Sequence, residues 1–185
     1  NITEDGKTYE AVLSNTRAKG QISLSKEDSV TGKEPQGEAT LEGAVYEVRA
    51  GENILDPADG SILYAKDTLI TTLTTNSEGN ASTNDQLYLG KYSVKEVKPS
   101  NGYTLDPKTY TVDIAYEGQN VALVTKSVTS LEKVISQPFE IIKISDNGNG
   151  ESDLLAGVEF TIKAQKDIEK YGSWEKAPVA KNAFG

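Results

Sequence analysis

Two charged residues stand where apolar ones would be expected. In the stretch Tyr88–Tyr103, Tyr92, Val94 and Glu96 fall on one face of a strand, because strand side chains alternate. Pro99, Asn101 and Gly102 then end that strand. Far upstream, Ile22, Leu24 and Lys26 share a face in the same way, with Ser23 and Ser25 opposite. A carboxylate that continues an apolar stripe is costly unless it is paired or held neutral. The lysine is a partner of the right sign. An amine deprotonated by burial is a nucleophile, and a carboxylic acid kept neutral by burial can donate a proton, so the pair has the makings of acid-assisted amine chemistry. The plainer alternatives are a buried ion pair, or a lysine whose stem packs while its ammonium reaches water.

Other chemistries are excluded by composition. The 185 residues include no Cys, His or Met. Disulfides, zinc–thiolate sites, thiol nucleophiles and the commonest general base are therefore absent. Nor is there a nucleophile–base–orienter set, so an enzyme in its own right is not expected, and no cofactor is. The Asp/Asn/Gly run 146–153 lacks the order of a calcium loop and reads as a turn. A formal net charge of −9 with no basic stripe argues against nucleic acid. No apolar run approaches the ~20 residues that span a bilayer, so no membrane contact is expected. Without a methionine, the chain reads as a mature or excised segment.

The elements that must position Lys26 and Glu96 are strands. Tyr, Val, Thr and Ile recur with period two between Gly, Pro and Asn turns, which predicts an all-β sandwich. Strands are expected at 21–28, 41–50, 61–66, 68–75, 88–98, 110–116 and 121–128. Residues 129–136 read as a connector, and 166–176, which could hold a helical turn, as an insertion loop.

The chain also repeats itself. Leu41–Ala50 aligns without gaps to Leu155–Ala164, and Ile22/Leu24/Lys26 matches Phe139/Ile141/Lys143. Self-similarity of this length predicts tandem domains. Residues 1–18 are expected to be the last strand of a preceding, truncated domain, 19–136 a complete sandwich, and 137–185 the N-terminal part of a following, truncated one.

The order of these motifs is distinctive: Ser25-Lys26-Glu27-Asp28, then Leu-x-Gly-Ala-x-Tyr-x-Val over 41–48, then Gly-Lys-Tyr-Ser-Val-Lys-Glu-Val-x-Pro-x-x-Gly-Tyr over 90–103. It resembles the B-type repeat domains of collagen-adhesin-like surface proteins and the SpaA-type pilins of Gram-positive bacteria. The resemblance implies prealbumin-like or immunoglobulin-like β-sandwich domains, export, sortase attachment to the cell wall, and assembly into pili. Many such domains join a first-strand lysine to a last-strand Asn or Asp through an amide, helped by a buried glutamate. Carried over, Lys26 is the amine and Glu96 the helper acid. Lys143 is the amine of the 137–185 unit, and Asn15, in phase with Tyr9, Ala11 and Leu13, is the acceptor of the preceding one.

The complete domain departs from this pattern at the acceptor. Matching Tyr9 to Val121 puts Ser127 at the acceptor position, and no Asn or Asp lies between Val121 and Gln137. Serine cannot form the amide, Asn120 comes too early, and Glu132 is a chemically possible but unusual substitute. The expectation is that this domain lacks the bond or uses an acceptor not yet placed. The function that follows is a stalk or spacer module of a cell-surface adhesin or pilin, at most autocatalytic. Its partners would be neighbouring tandem domains and other pilin subunits. The alternatives are a module binding host matrix protein or glycan, and an accessory domain of a secreted enzyme.

Overall fold

A computed structural model of the chain describes residues 6, 8, 10, 16–83, 87–146, 152–154 and 156–180. Its body is built by alternation. Strand β1 (Lys19–Asp28) buries every second residue, so Ile22, Leu24, Lys26 and Asp28 all point inward. β2 (Val45–Ala50) buries Tyr46, Val48 and Ala50, and β7 (Gly90–Lys98) buries Tyr92, Val94 and Glu96. β3 (Ile54–Leu55) and β4 (Ile62–Tyr64) form a small antiparallel hairpin. β5 (Leu69–Thr74), β6 (Asn80–Ser82), β8 (Thr109–Ile114) and β9 (Leu123–Glu132) complete the unit.

These strands make two sheets, ordered β6-β1-β9 and β5-β2-β7-β8. Their inner faces share one core that includes Ile22, Leu24, Tyr46, Val48, Tyr92, Val94, Ile114 and Val124. Burial of each large apolar side chain contributes about 1.5–3 kcal/mol, which is what holds the sheets face to face. The approach is close at Gly20, where an added Cβ would lie 2.3 Å from Cγ2 of Ile114. The first and last strands of the sandwich lie side by side. β1 and β9 pair in parallel and in register for their full length, from Lys19 opposite Leu123 to Asp28 opposite Glu132.

The structure departs from the sequence expectation in several places, of which three are the largest. The strand expected from Leu41 starts at Val45, because Gly43 turns with φ 87° and its N–H bonds to Thr75. β9 runs on through Glu132 where a connector was expected after Val128. Its inward positions there are Ser130 and Glu132, so apolar alternation vanishes from the sequence although the strand continues. Within 166–176, expected as a loop, the chain forms helix α1 (Gln165–Tyr171), closed by Gly172 in the left-handed conformation.

After the sandwich, β10 (Ile144–Asp146) and β11 (Ser152–Leu154) pair as a hairpin. Phe139, Ile141, Ile144, Phe160 and Ile162 are exposed in this part. No helix among the described residues is long and apolar enough to cross a membrane.

Candidate functional site

Lys26 lies near the end of β1, facing the opposite sheet with none of its surface exposed. Its parallel neighbour on β9 is Ser130, and Glu132, two residues further, points the same way. Across the core, Glu96 extends from β7, paired with Tyr46 on β2. The site is thus one ammonium and two carboxyls in a dry interior, with Glu96 and Glu132 at most 2% exposed. Lys26 Nζ is 3.6 Å from Glu96 Oε1 and touches Glu132 Oε2. None of these three atoms makes a hydrogen bond. The ring of Tyr103 floors the site, 4.6 Å from Nζ to its centroid, and adds a cation–π contact.

The outer oxygens of the two glutamates are held. Tyr46 donates its phenol proton to Glu132 Oε1 at 2.6 Å, and Ser130 Oγ lies 3.2 Å from the same oxygen. The backbone N–H of Asp106 donates to Glu96 Oε2 at 2.6 Å. The turn at Pro99–Gly102 makes this possible by returning the chain over the end of β7. Asp106 is itself fixed by Tyr110 and Ser130, whose hydroxyls donate to Oδ2 at 2.7 and 3.1 Å.

Asp28, also buried, plays a separate part. It accepts hydrogen bonds from the N–H groups of Val30 and Thr31, from Gln36 and from the Tyr103 phenol. Burial works to raise its carboxyl pKa, but these bonds outweigh it and hold the group below the usual range. Asp28 therefore anchors Tyr103 beneath the ammonium and does not itself pair with it.

Of the residues singled out in sequence, Lys26 and Glu96 are brought together. Lys143 is exposed, and Asn15 lies outside the described residues. Ser127, matched to the acceptor position, is instead exposed and opposite Ser23. The match to Tyr9 set the wrong phase: inward residues of β9 are even-numbered, as Val124, Val128, Ser130 and Glu132 show. Tyr46, Tyr103, Asp106 and Ser130 were not anticipated as site residues. Counting by twos from Val124 and Val128 was the signal that would have found Ser130 and Glu132.

A family profile described as "SpaA: Prealbumin-like fold domain" matches residues 20–128. The chain belongs to the SpaA family of prealbumin-like domains. Solved structures similar to this SpaA-family chain include the full-length major pilin SpaD from Corynebacterium diphtheriae, at 18% identity and TM-score 0.45, covering 68% of this chain and 32% of that one. The minor pilin GBS52 from Streptococcus agalactiae is 22% identical with TM-score 0.44, covering 68% and 49%. The T6 backbone pilin of serotype M6 Streptococcus pyogenes is 31% identical with TM-score 0.35, covering 50% and 15%. The chain spans less than half the length of each. No curated protein sequence matches it. The family assignment rests on the profile match, and the two-sheet order agrees with it.

Electrostatics of this SpaA-family site make it sensitive to pH. Burial raises the Glu96 pKa above its ordinary 4.5, against the Asp106 N–H and the Lys26 charge. Burial likewise lowers the Lys26 pKa below 10.5, with Glu96 pulling the other way. A carboxyl whose folded pKa exceeds its unfolded one weakens folding as pH climbs past the unfolded value, because only the unfolded chain then releases the proton freely. Glu96→Gln removes that titration. The stability of the variant relative to wild type is expected to improve as pH rises from 4.5 toward neutrality, read from urea midpoints. A difference independent of pH would show that Glu96 ionises in the fold as it does in water.

Proposed function

We propose that residues 19–136 are a load-bearing spacer module of a Gram-positive surface adhesin or pilin, built around a buried Lys26–Glu96 pair of the isopeptide type. The observation that carries this is the parallel, in-register ladder between β1 and β9. Tension applied through the chain enters at Lys19 and leaves at Glu132, at opposite ends of the ladder. Its hydrogen bonds are then sheared together and not unzipped one by one. Lys26 sits near the exit end, where a covalent tie would relieve everything in between.

In this reading residues 1–18 and 137–185 belong to neighbouring copies. The apolar residues exposed on the latter, Phe139, Ile141 and Phe160 among them, are the inner face of a second sandwich. Such a module has tandem domains and other pilin subunits as partners, and its parent protein is attached to the cell wall.

Single-molecule pulling tests the spacer. Handles at residues 18 and 133 load β1 against β9 in shear, whereas handles at Gly90 and Ile114, paired at the open end of the β7–β8 hairpin, unzip it. The first pair is expected to resist a clearly higher force than the second. Equal or lower resistance along the chain axis would overturn a load-bearing role.

A further inference from the structure

The centre of the sandwich holds one cation against two carboxyls, and only one of the two is arranged to be attacked. Resting on the isopeptide-type reading above, we infer that Glu132 is the acceptor of an amide bond from Lys26, with water as the leaving group and Glu96 as the proton relay.

Elimination on the described residues supports the choice. Asp28 is occupied by four donors. Asp106 is held at Oδ1 by the N–H of Lys108 and at Oδ2 by Tyr110 and Ser130. The carboxylates within ion-pair reach of Nζ are those of Glu96 and Glu132. Glu132 touches Nζ, and its other oxygen accepts the phenol proton of Tyr46. Such a neutral donor polarises a carbonyl and stabilises the oxyanion that forms when an amine adds to it. Glu96 has one oxygen pinned by the Asp106 N–H and the other turned to Nζ without a hydrogen bond, which is the posture of a proton carrier.

The step balances without a co-reactant. The nitrogen of Lys26 bonds to Cδ of Glu132, and the bond from Cδ to Oε2 breaks. Oε1 stays as the amide oxygen under Tyr46. The ammonium gives up two protons, passed through Glu96 to Oε2, which departs as water, and the third remains on the amide nitrogen. In water an ion pair of this kind does not condense. Here two buried charges are replaced by one neutral group, and the desolvation that penalised them is relieved. The fold also holds amine and carbonyl in contact, supplying a high effective concentration.

Intact-mass spectrometry of the full chain decides this. The wild type is expected to be lighter than its sequence by one water, and digestion is expected to yield a branched peptide joining Lys26 to Glu132. Glu132→Gln supplies a sharper check, because its reaction releases ammonia and gives the same covalent product. Its mature mass should therefore equal that of mature wild type, while Lys26→Ala should show its full sequence mass. A folded wild-type chain of full mass would overturn the inference and leave the spacer to stand or fall by the pulling experiment. A branch that ends on any residue other than Glu132 would overturn the acceptor while preserving the isopeptide-type centre.

Discussion

Replacing Lys26 with methionine is expected to lower the unfolding free energy by at least about 3–5 kcal/mol, the usual cost of stripping one partner from a buried ion pair. Methionine fills the place of the aliphatic stem, so little of the loss comes from a cavity. It comes from Glu96 and Glu132, which are left in an interior where neither is more than 2% exposed. If Lys26 is joined to Glu132, the variant also loses the closure of a loop of ~100 residues, worth about 4–5 kcal/mol by analogy with a disulfide. Together these approach the whole stability of an ordinary domain, about 5–15 kcal/mol, and place the variant at the edge of folding.

A companion variant separates the two contributions. Lys26→Met with Glu96→Gln and Glu132→Gln removes the stranded charges as well as the bond. Its midpoint in urea should recover the part due to charge and not the part due to the tie. Full recovery would mean that no covalent tie stabilises the wild type. A wild-type midpoint in Lys26→Met alone would mean that this centre contributes nothing to stability.

Glu96 and Lys26 were readable in the sequence because each continues a stripe of apolar neighbours. A strand with Tyr92 and Val94 inward must place Glu96 inward as well, and nothing beyond period two is needed to see it. The two-sheet architecture was readable for the same reason, with turn residues marking nearly every strand end. Glu132 was seen as a chemical possibility but not placed. On β9 the inward run ends in Ser130 and Glu132, so its polarity mimics a loop. The internal repeat compounded this, since aligning Tyr9 to Val121 fixed on the outward phase and so on Ser127. The donors around the site were hidden for a different reason. Tyr46 meets Glu132, and Tyr103 meets Asp28, across 86 and 75 residues of sequence. Such partnerships exist only once the sheets have closed.

The alignment of β1 at Lys26 depends on a single glycine outside the site, and Gly79→Ala is expected to cost roughly 2–5 kcal/mol. Gly79 closes the turn after Asn76 with φ 75°, its N–H bonded to Asn76 and its carbonyl accepting the N–H of Lys26 at 2.7 Å. A left-handed conformation costs a residue bearing Cβ about 1–2 kcal/mol. Here the added Cβ would also lie 2.4 Å from the backbone oxygen of Lys26 and 3.2 Å from Cβ of Leu41. The first of these is main chain in the middle of a sheet and cannot swing aside, so overpacking adds about 1–3 kcal/mol. Gly60→Ala isolates the second contribution. Gly60 has the same φ, 75°, with open space where its Cβ would go, and should lose only the conformational part. Urea midpoints of the two variants, measured side by side, should therefore differ in favour of Gly60→Ala. Equal losses would mean that the Gly79 turn does not press on β1. Relief of the clash pushes the Lys26 backbone away from the turn, so Gly79→Ala should also reduce the fraction of chains that lose water on maturation. Gly60→Ala, remote from β1, should leave that fraction unchanged.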